Sequence, residues 1–316
     1  MNVPAGKPWR VATRRSALAR AQAGQVAEAV TAVTGRPAEL VAMSTTGDDN
    51  PDRAIESFDA KGLFVDKTRQ AVLAGDCDFV VHSYKDLPTA PAPGLVIACI
   101  PARVDPRDVL VTRAGTRLAD LPRNRVVHVG TSSARRRAQL LKARRDLQVQ
   151  PLRGNLDTRL AKVVDGQLDA VVVAMAGLLR LGVDVPLKAI PLEHGECLHA
   201  PAQGALAIEC RSDDIATRAA LGALDDAETR AAVTAERALL VGLEGGCTAP
   251  IGAHAEVRVI DGRPRLELLG MLADPNGTRL VRASHQGGLD APETLGLALA
   301  ATLAVEGEPI LQRLRG

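Results

Sequence analysis

The chain has 316 residues, more than one hydrophobic core organises, so two or three domains are expected. With 46% apolar and 24% charged residues it is neither disordered nor fibrous, and its longest apolar stretches, Ala170–Leu179 and Leu295–Val305, are too short to span a bilayer. A net charge of +2 and only 2% aromatic residues argue against a partner recognised by base stacking, so no nucleic acid and no membrane is expected.

In chain order, Arg10–Ala12 reads as extended backbone and Ser16 as a helix N-cap. Leu18, Ala21, Val26, Val30 and Val33 then make an apolar stripe that ends at Gly35. Glu39–Met43 is a strand, Leu63–Leu73 a helix closed by Gly75, and Phe79–Ser83 a buried strand. The run Leu87–Gly94 is a loop, because its prolines lack the donor that a sheet ladder needs. Strands follow at Leu95–Ile100 and Val109–Thr112, and the polar segment Ala102–Arg107 between them marks a domain crossing.

A second set comes next: strand Arg125–Val129, helix Ala134–Arg144, strand Leu147–Leu152, helix Leu156–Val164 and strand Ala170–Ala174. Strands separated by helices of this length imply right-handed βαβ units and parallel or mixed sheets, hence two α/β lobes with a cleft between them. After Arg211 the rhythm changes. A helix over Glu228–Leu243, a Gly-Gly-Cys loop, strands at His254–Ile260, Arg265–Leu272 and Arg279–His285, and a helix over Pro292–Val305 make a small α+β domain.

Ligands of open α/β sheets bind beyond the carboxyl ends of the strands, where helix N-termini present unpaired N–H groups. Those junctions hold Thr13, Arg14 and Ser16; Tyr84, Lys85 and Asp86; Gly130, Thr131, Ser132, Ser133, Arg135 and Arg136; and Arg153, Gly154 and Asn155 with Arg159 one turn on. Hydroxyls, helix starts and arginines recur at nearly every one, which points to an anion-binding cleft. The segment GTSSARRR lacks the glycine-rich Lys-Ser/Thr pattern of a nucleotide site. Separated arginines suit a ligand with several separated carboxylates. Arg137, Arg144 and Arg145 read instead as a solvated basic helix face.

Asp86 follows Lys85 at the end of an apolar strand, a place that serves a surface turn as well as a carboxylate that steadies a cation or moves a proton. The five cysteines form no CxxC pair and are odd in number, so reduced thiols are expected and neither a disulfide framework nor a zinc knuckle. Cys247 is set apart by Gly245, Gly246 and Pro250, which suits an exposed sulfur held in place, although a lone thiol is more often inert packing. The six histidines are scattered without a metal-binding spacing, so no metal site is expected.

The segments KGLFVDKTRQAVLAGDCDFVVHSYKDLPT, VGTSSARRRAQL, LRGNLDTRL, PAQGALAIECR and ERALLVGLEGGCTAPIGA resemble, in order, the motifs of the porphobilinogen deaminase (hydroxymethylbilane synthase) family. The resemblance runs from Arg10 to Ala253, and HSYKD together with the segment around Cys247 is its most specific part. It implies two lobes like those of type II periplasmic binding proteins, with mixed sheets, plus a small α+β C-terminal domain. The boundaries expected are 1–103 with 202–218, 104–201, and 219–316. It further implies an enzyme of tetrapyrrole (haem-type) biosynthesis that joins four porphobilinogen molecules head to tail, releases ammonia, and hydrolyses off hydroxymethylbilane.

By that resemblance, a dipyrromethane cofactor is held as a thioether on Cys247 and Asp86 is the catalytic aspartate. Cofactor contacts fall on Lys85, Thr131, Ser132, Ser133, Arg135, Arg136, Asn155 and Arg159, and substrate contacts on Arg10, Arg14, Ser16, Lys61, Arg153, Arg180 and Gln203. A cytoplasmic monomer is implied, with hand-off of product to the next enzyme; the opening segment, which has no apolar core, suits that address. The chemistry agrees with the residues. Each porphobilinogen carries an acetate and a propionate, a row of carboxylates for bidentate arginines, and loss of ammonia leaves a cation that a buried carboxylate stabilises.

Three departures stand out. Phe58-Asp59-Ala60-Lys61-Gly62 keeps one lysine where the family often has two, Ala249 replaces a β-branched residue before Pro250, and Tyr84 stands where methionine is common. The competing reading is a non-catalytic two-lobed binding protein for a small polycarboxylate or other anion, which leaves Cys247 and the last domain without a role.

Overall fold

The computed structural model describes residues 7–43, 67–182, 186–244 and 249–315. The chain divides into two compact units, Met1–Arg103 with Ala205–Ala227, and Val104–Gly204 with Glu228–Gly316.

In the first unit, β1 (Trp9–Arg14), β2 (Ala38–Met43), β3 (Phe79–Ser83), β4 (Leu95–Cys99) and β10 (Leu206–Arg211) form one sheet in the order β2-β1-β3-β10-β4. β1 runs parallel to β2 and β3, whereas β10 is antiparallel to both its neighbours. Helix α1 (Ala17–Thr34) begins where the Ser16 Oγ accepts from the Ala19 N–H at 3.3 Å and ends at Gly35, whose φ of +68° few other residues tolerate. Its Ala23, Val26 and Val30 pack on Trp9, Val11, Phe79 and Ile208. The opposite sheet face is covered by Ala71 and Val72 from the helical residues 67–73. Burial on both faces explains why β3 is a near-continuous apolar run.

In the second unit, β5 (Asp108–Thr112), β6 (Val127–Gly130), β7 (Leu147–Gln150), β8 (Ala170–Ala174) and β9 (Lys188–Pro191) form a sheet in the order β7-β6-β8-β5-β9. β6 is parallel to β7 and β8, and β5 is antiparallel to β8 and β9. The two five-stranded sheets therefore share one topology. In each, the fourth place is taken by an antiparallel strand from the far side of a chain crossover. The fold is two α/β lobes with mixed sheets plus a smaller α+β part. Helices α2 (Ala134–Ala143), α3 (Leu156–Val164) and α4 (Met175–Leu181) complete this lobe, with Leu140 on one face of the sheet and Leu160 and Val163 on the other.

Helices α5 (Ile215–Gly222) and α6 (Ala227–Gly242) follow β10. α6 packs with α7 (Pro292–Glu306) and α8 (Glu308–Arg315) on the antiparallel sheet β11 (Ile251–Ile260), β12 (Arg263–Ala273) and β13 (Leu280–Gly287), around Leu239, Leu268, Leu299 and Leu303. β11 and β12 are joined by Asp261 and Gly262, both at positive φ (50° and 73°), the two-residue turn that matches strand twist. Helix α5 was not read from the sequence, nor were three further elements. β9 has four residues ending in proline and lies at a sheet edge, β10 has Glu209 inside its apolar run, and α8 follows α7 directly at Gly307. No single helix among the described residues is long and apolar enough to cross a membrane.

Candidate active site

In the first unit, the carboxyl end of β3 passes into a single 3₁₀ turn, Tyr84–Asp86, which fixes the HSYKD segment. The Tyr84 N–H donates to the Ala205 carbonyl at 3.1 Å and the Leu87 N–H to the Tyr84 carbonyl at 3.2 Å, so both flanks of the turn are held. Tyr84 is buried and packs, Lys85 is half-buried, and Asp86 is exposed. The buried carboxylate expected at Asp86 is thus not found: the residue stands beyond the end of the strand, past the last rung of the ladder with β10. Gln22 Nε2 donates to Ser83 Oγ at 2.8 Å, tying α1 to the same strand end. Arg14 and Ser16 lie together at the β1–α1 junction, whereas Arg10 is exposed near the start of β1. Lys61 and Cys247 lie outside the described residues.

Also in this unit, Glu209 on β10 receives a bidentate pair from Arg69, at 2.7 and 2.8 Å, and sits 3.2 Å from His82 Nε2. Burial pushes the carboxyl up, but His82 and Arg69 outweigh it and hold the pKa at about 2. The sequence offered no sign of this pair, because Arg69 and Glu209 are 140 positions apart.

In the second unit, Ser133 caps α2 with its Oγ accepting from the Arg136 N–H at 3.4 Å, and Asn155 caps α3 by accepting from the Thr158 N–H at 3.1 Å. Ser132 Oγ donates to the Leu152 carbonyl at 2.6 Å and accepts from the Leu152 N–H at 2.7 Å, which locks the loop after β6 to the loop after β7. Thr131 is buried, and its Oγ1 accepts from the Ser133 N–H at 3.2 Å. Arg153 and Asn155 are exposed, and Arg159 folds back so that its Nε donates to the Gly154 carbonyl at 2.9 Å.

Arg135 and Arg136 are both buried, and both meet Asp108, the first residue of β5, which is fully buried. Arg135 Nη1 donates to Asp108 Oδ2 at 2.7 Å and to the Leu198 carbonyl at 2.6 Å. Arg136 donates to Asp108 Oδ1 from Nη2 at 2.7 Å and Nε at 3.0 Å, and Gln203 Nε2 donates to the same oxygen at 2.8 Å. Burial alone would raise the Asp108 pKa, yet the two guanidiniums keep it far below the ordinary carboxylate range. Two cations share one anion, so the buried cluster is net positive. The sequence reading missed Asp108. Its signal was an acid heading an otherwise apolar strand buried on both faces, a place where a charge needs partners.

Arg180 on α4 donates from Nη2 to the Gly204 carbonyl at 2.8 Å, while its buried Nε has no hydrogen-bond partner among the described residues. Burial lowers its pKa to about 10, with no carboxylate opposing the shift. Two neighbouring arginines differ from the sequence reading. Arg144, taken for a solvated residue, is buried and bonds the carbonyls of Leu118 and Leu121, each at 3.1 Å, and the Asp146 carboxylate; Arg137 donates to the Val149 carbonyl at 2.8 Å. Both cap backbone groups at the ends of strands and loops that the helix crosses, a demand invisible in the charge pattern. Arg145 is exposed.

Comparison with known families agrees with the motifs. A family model described as porphobilinogen deaminase, dipyromethane cofactor binding domain, matches residues 9–219, and one described as porphobilinogen deaminase, C-terminal domain, matches residues 230–304. The chain is 52% identical over 303 residues to porphobilinogen deaminase of Nocardia farcinica, covering 94% of this chain and 86% of the relative. It is 48% identical over 307 residues to porphobilinogen deaminase 1 of Streptomyces coelicolor, covering 95% and 94%. With porphobilinogen deaminase of Mycolicibacterium paratuberculosis the identity is 51% over 301 residues, covering 93% of each.

Proposed function

The chain belongs to the porphobilinogen deaminase family, and from that premise we propose how its own residues serve the reaction. The activity is that of the family: four porphobilinogen molecules are joined head to tail with loss of ammonia, and hydroxymethylbilane is released by hydrolysis, a step of tetrapyrrole biosynthesis. The observation that carries the residue assignment is the surplus of desolvated positive charge in the second unit. Arg135 and Arg136 share a single carboxylate, and the buried Arg180 Nε is unpartnered among the described residues. Guanidiniums in that state suit the acetate and propionate arms of pyrroles, because the desolvation cost has already been met in folding.

The same surplus fits a dipyrromethane cofactor, itself a bearer of carboxylates. That group supplies the two linked pyrroles from which the product chain is extended. Arg135, Arg136 and Arg159 would hold its carboxylates, with Thr131, Ser132, Ser133 and Asn155 setting the loops that carry those arginines, and Lys85 would add a further cation. Cys247 provides the sulfur. In support, the four cysteines of the described residues are all buried. Burial pushes the thiol of Cys197 up to about 12 and that of Cys210 to about 11, which leaves both protonated and unreactive at neutral pH.

Arg10, Arg14, Ser16, Lys61, Arg153, Arg180 and Gln203 receive the incoming substrate. Asp86 acts on the reacting pyrrole: when ammonia leaves, positive charge spreads to the ring N–H, and the carboxylate accepts that hydrogen bond as the charge develops. Its exposure suits a group that must meet a ligand, and the 3₁₀ turn fixes its backbone. Domains 1–103 with 202–218, 104–201 and 219–316, a cytoplasmic monomer, and hand-off of product complete the reading. The test is Asp86→Asn. The variant is expected to fold and carry its cofactor while porphobilinogen consumption falls at least a hundredfold; rates near those of the unaltered protein would remove Asp86 from the chemistry.

A further inference from the structure

Three of the six histidines scattered through the sequence come together in the fold. His194 and His199, in the segment between β9 and β10, meet His254 on β11, with ligand-capable atoms all within 4.8 Å of one another. All three belong to the second unit. The His194 and His254 rings stack at 3.9 Å between centroids, and His199 stands edge-on to His254 at 5.1 Å. His199 is fully buried and the others are half-buried.

The hydrogen bonds fix which nitrogens are available. His199 Nδ1 lies 2.8 Å from the Ala200 carbonyl, which only accepts, so Nδ1 carries the hydrogen and Nε2 of the neutral ring offers a lone pair. That lone pair faces His254 Nδ1 at 2.9 Å. On its other side, His254 Nε2 lies 3.9 Å from a Glu256 carboxylate oxygen. His194 Nδ1 is buried without a hydrogen-bond partner among the described residues.

We propose that His194, His199 and His254 form a binding site for one zinc ion, which clamps the 193–199 segment to β11. Three imidazoles with an open fourth position are a zinc donor set. Tetrahedral bonds of about 2.0–2.1 Å place ligand nitrogens roughly 3.3 Å apart, so the ligand atoms, now within 4.8 Å of one another, must draw together, and the His194 and His254 rings, stacked 28° from parallel, must turn out of their stack for both lone pairs to meet one ion. One outer partner is in place, the Ala200 carbonyl that holds the far N–H of His199, and Glu256, 3.9 Å from His254 Nε2, must close in to receive the other. Binding needs His254 to carry its hydrogen on Nε2 instead of Nδ1, a tautomer change with no net proton release. The backbone is already braced. The Ala253 N–H donates to the His199 carbonyl at 3.0 Å, and Glu236, fully buried on α6, accepts from the N–H groups of Ala202 at 2.6 Å and Ala255 at 2.8 Å. The nearby cation Arg107 is compensated by Asp105 and Glu193, each at 2.7 Å.

The test uses the untagged, cofactor-loaded full chain, stripped of metal and titrated with Zn2+ against a competing chromophoric chelator. One zinc per chain is expected, and zinc-edge X-ray absorption should show nitrogen neighbours at about 2.0–2.1 Å with imidazole scattering. His194→Gln and His254→Gln, both at half-buried positions, should each weaken binding at least tenfold. No stoichiometric uptake, a sulfur neighbour at about 2.3 Å, or undiminished affinity in the folded variants would overturn the proposal. If neither variant folds, the absorption spectrum of the unaltered protein decides alone. The deaminase reading is untouched by either result.

Discussion

Asp108→Asn perturbs the buried cluster with almost no change in volume. The carboxylate is fully buried and accepts from Arg135, from Arg136 twice, and from Gln203. Asparagine keeps one acceptor, but it turns an N–H₂ group toward a guanidinium and leaves two buried cations without an anion. Removing one partner from a buried ion pair costs about 3–5 kcal/mol. For a unit of this size, about 2–4 °C of Tm is lost per kcal/mol, so calorimetry should show the second unit melting about 6–20 °C lower. The pH dependence follows from the direction of the shift. A carboxyl held far below its ordinary range contributes stability that is complete above its unfolded pKa and lost as pH falls toward the folded one. The deficit should therefore be constant from about pH 5 to 8 and shrink only below about pH 4. A Tm within about 1 °C of the unaltered protein at neutral pH would refute the reasoning.

Glu209→Gln tests the corresponding pair of the first unit. Its carboxyl, held at about 2, contributes stability above about pH 4.5 that disappears as pH falls toward 2, on the order of 3 kcal/mol. Acid titration of unfolding should be shallower in the variant across that range; parallel curves would show that Arg69 and His82 do not set the carboxyl's titration. Arg180→Leu separates function from stability. The variant loses one hydrogen bond to Gly204 but also a desolvated cation with no carboxylate paired to it among the described residues, so its Tm should stay the same or rise while porphobilinogen turnover falls at least tenfold. A large fall in Tm would mean that Arg180 is held for packing.

Much of this molecule is legible without coordinates. Ser16 announced a helix start through its capping oxygen, Gly35 closed the apolar stripe of the same helix, and the apolar runs of β3 and β8 marked strands. Local rules suffice there because the interactions lie within a few residues. Partners far apart in sequence were not legible. Asp108 draws on Arg135, Arg136 and Gln203, and Glu209 on Arg69, so each needed the sheet order to bring it to its counter-charge. Arg144 was misread for the same reason, since the carbonyls it caps lie 23 and 26 positions earlier. The histidine cluster likewise joins a loop to a strand 55 positions away.

The central claim is that the chain's fifth cysteine anchors a primer made from its own substrate. Proteolytic peptide mapping of the active, unreduced protein by mass spectrometry addresses this directly. The account predicts that the peptide containing Cys247 carries the mass of two linked pyrrole units through its sulfur, with the other four cysteines unmodified. Full turnover by a preparation in which every cysteine peptide has its bare mass, or the adduct found on Cys197, would contradict it.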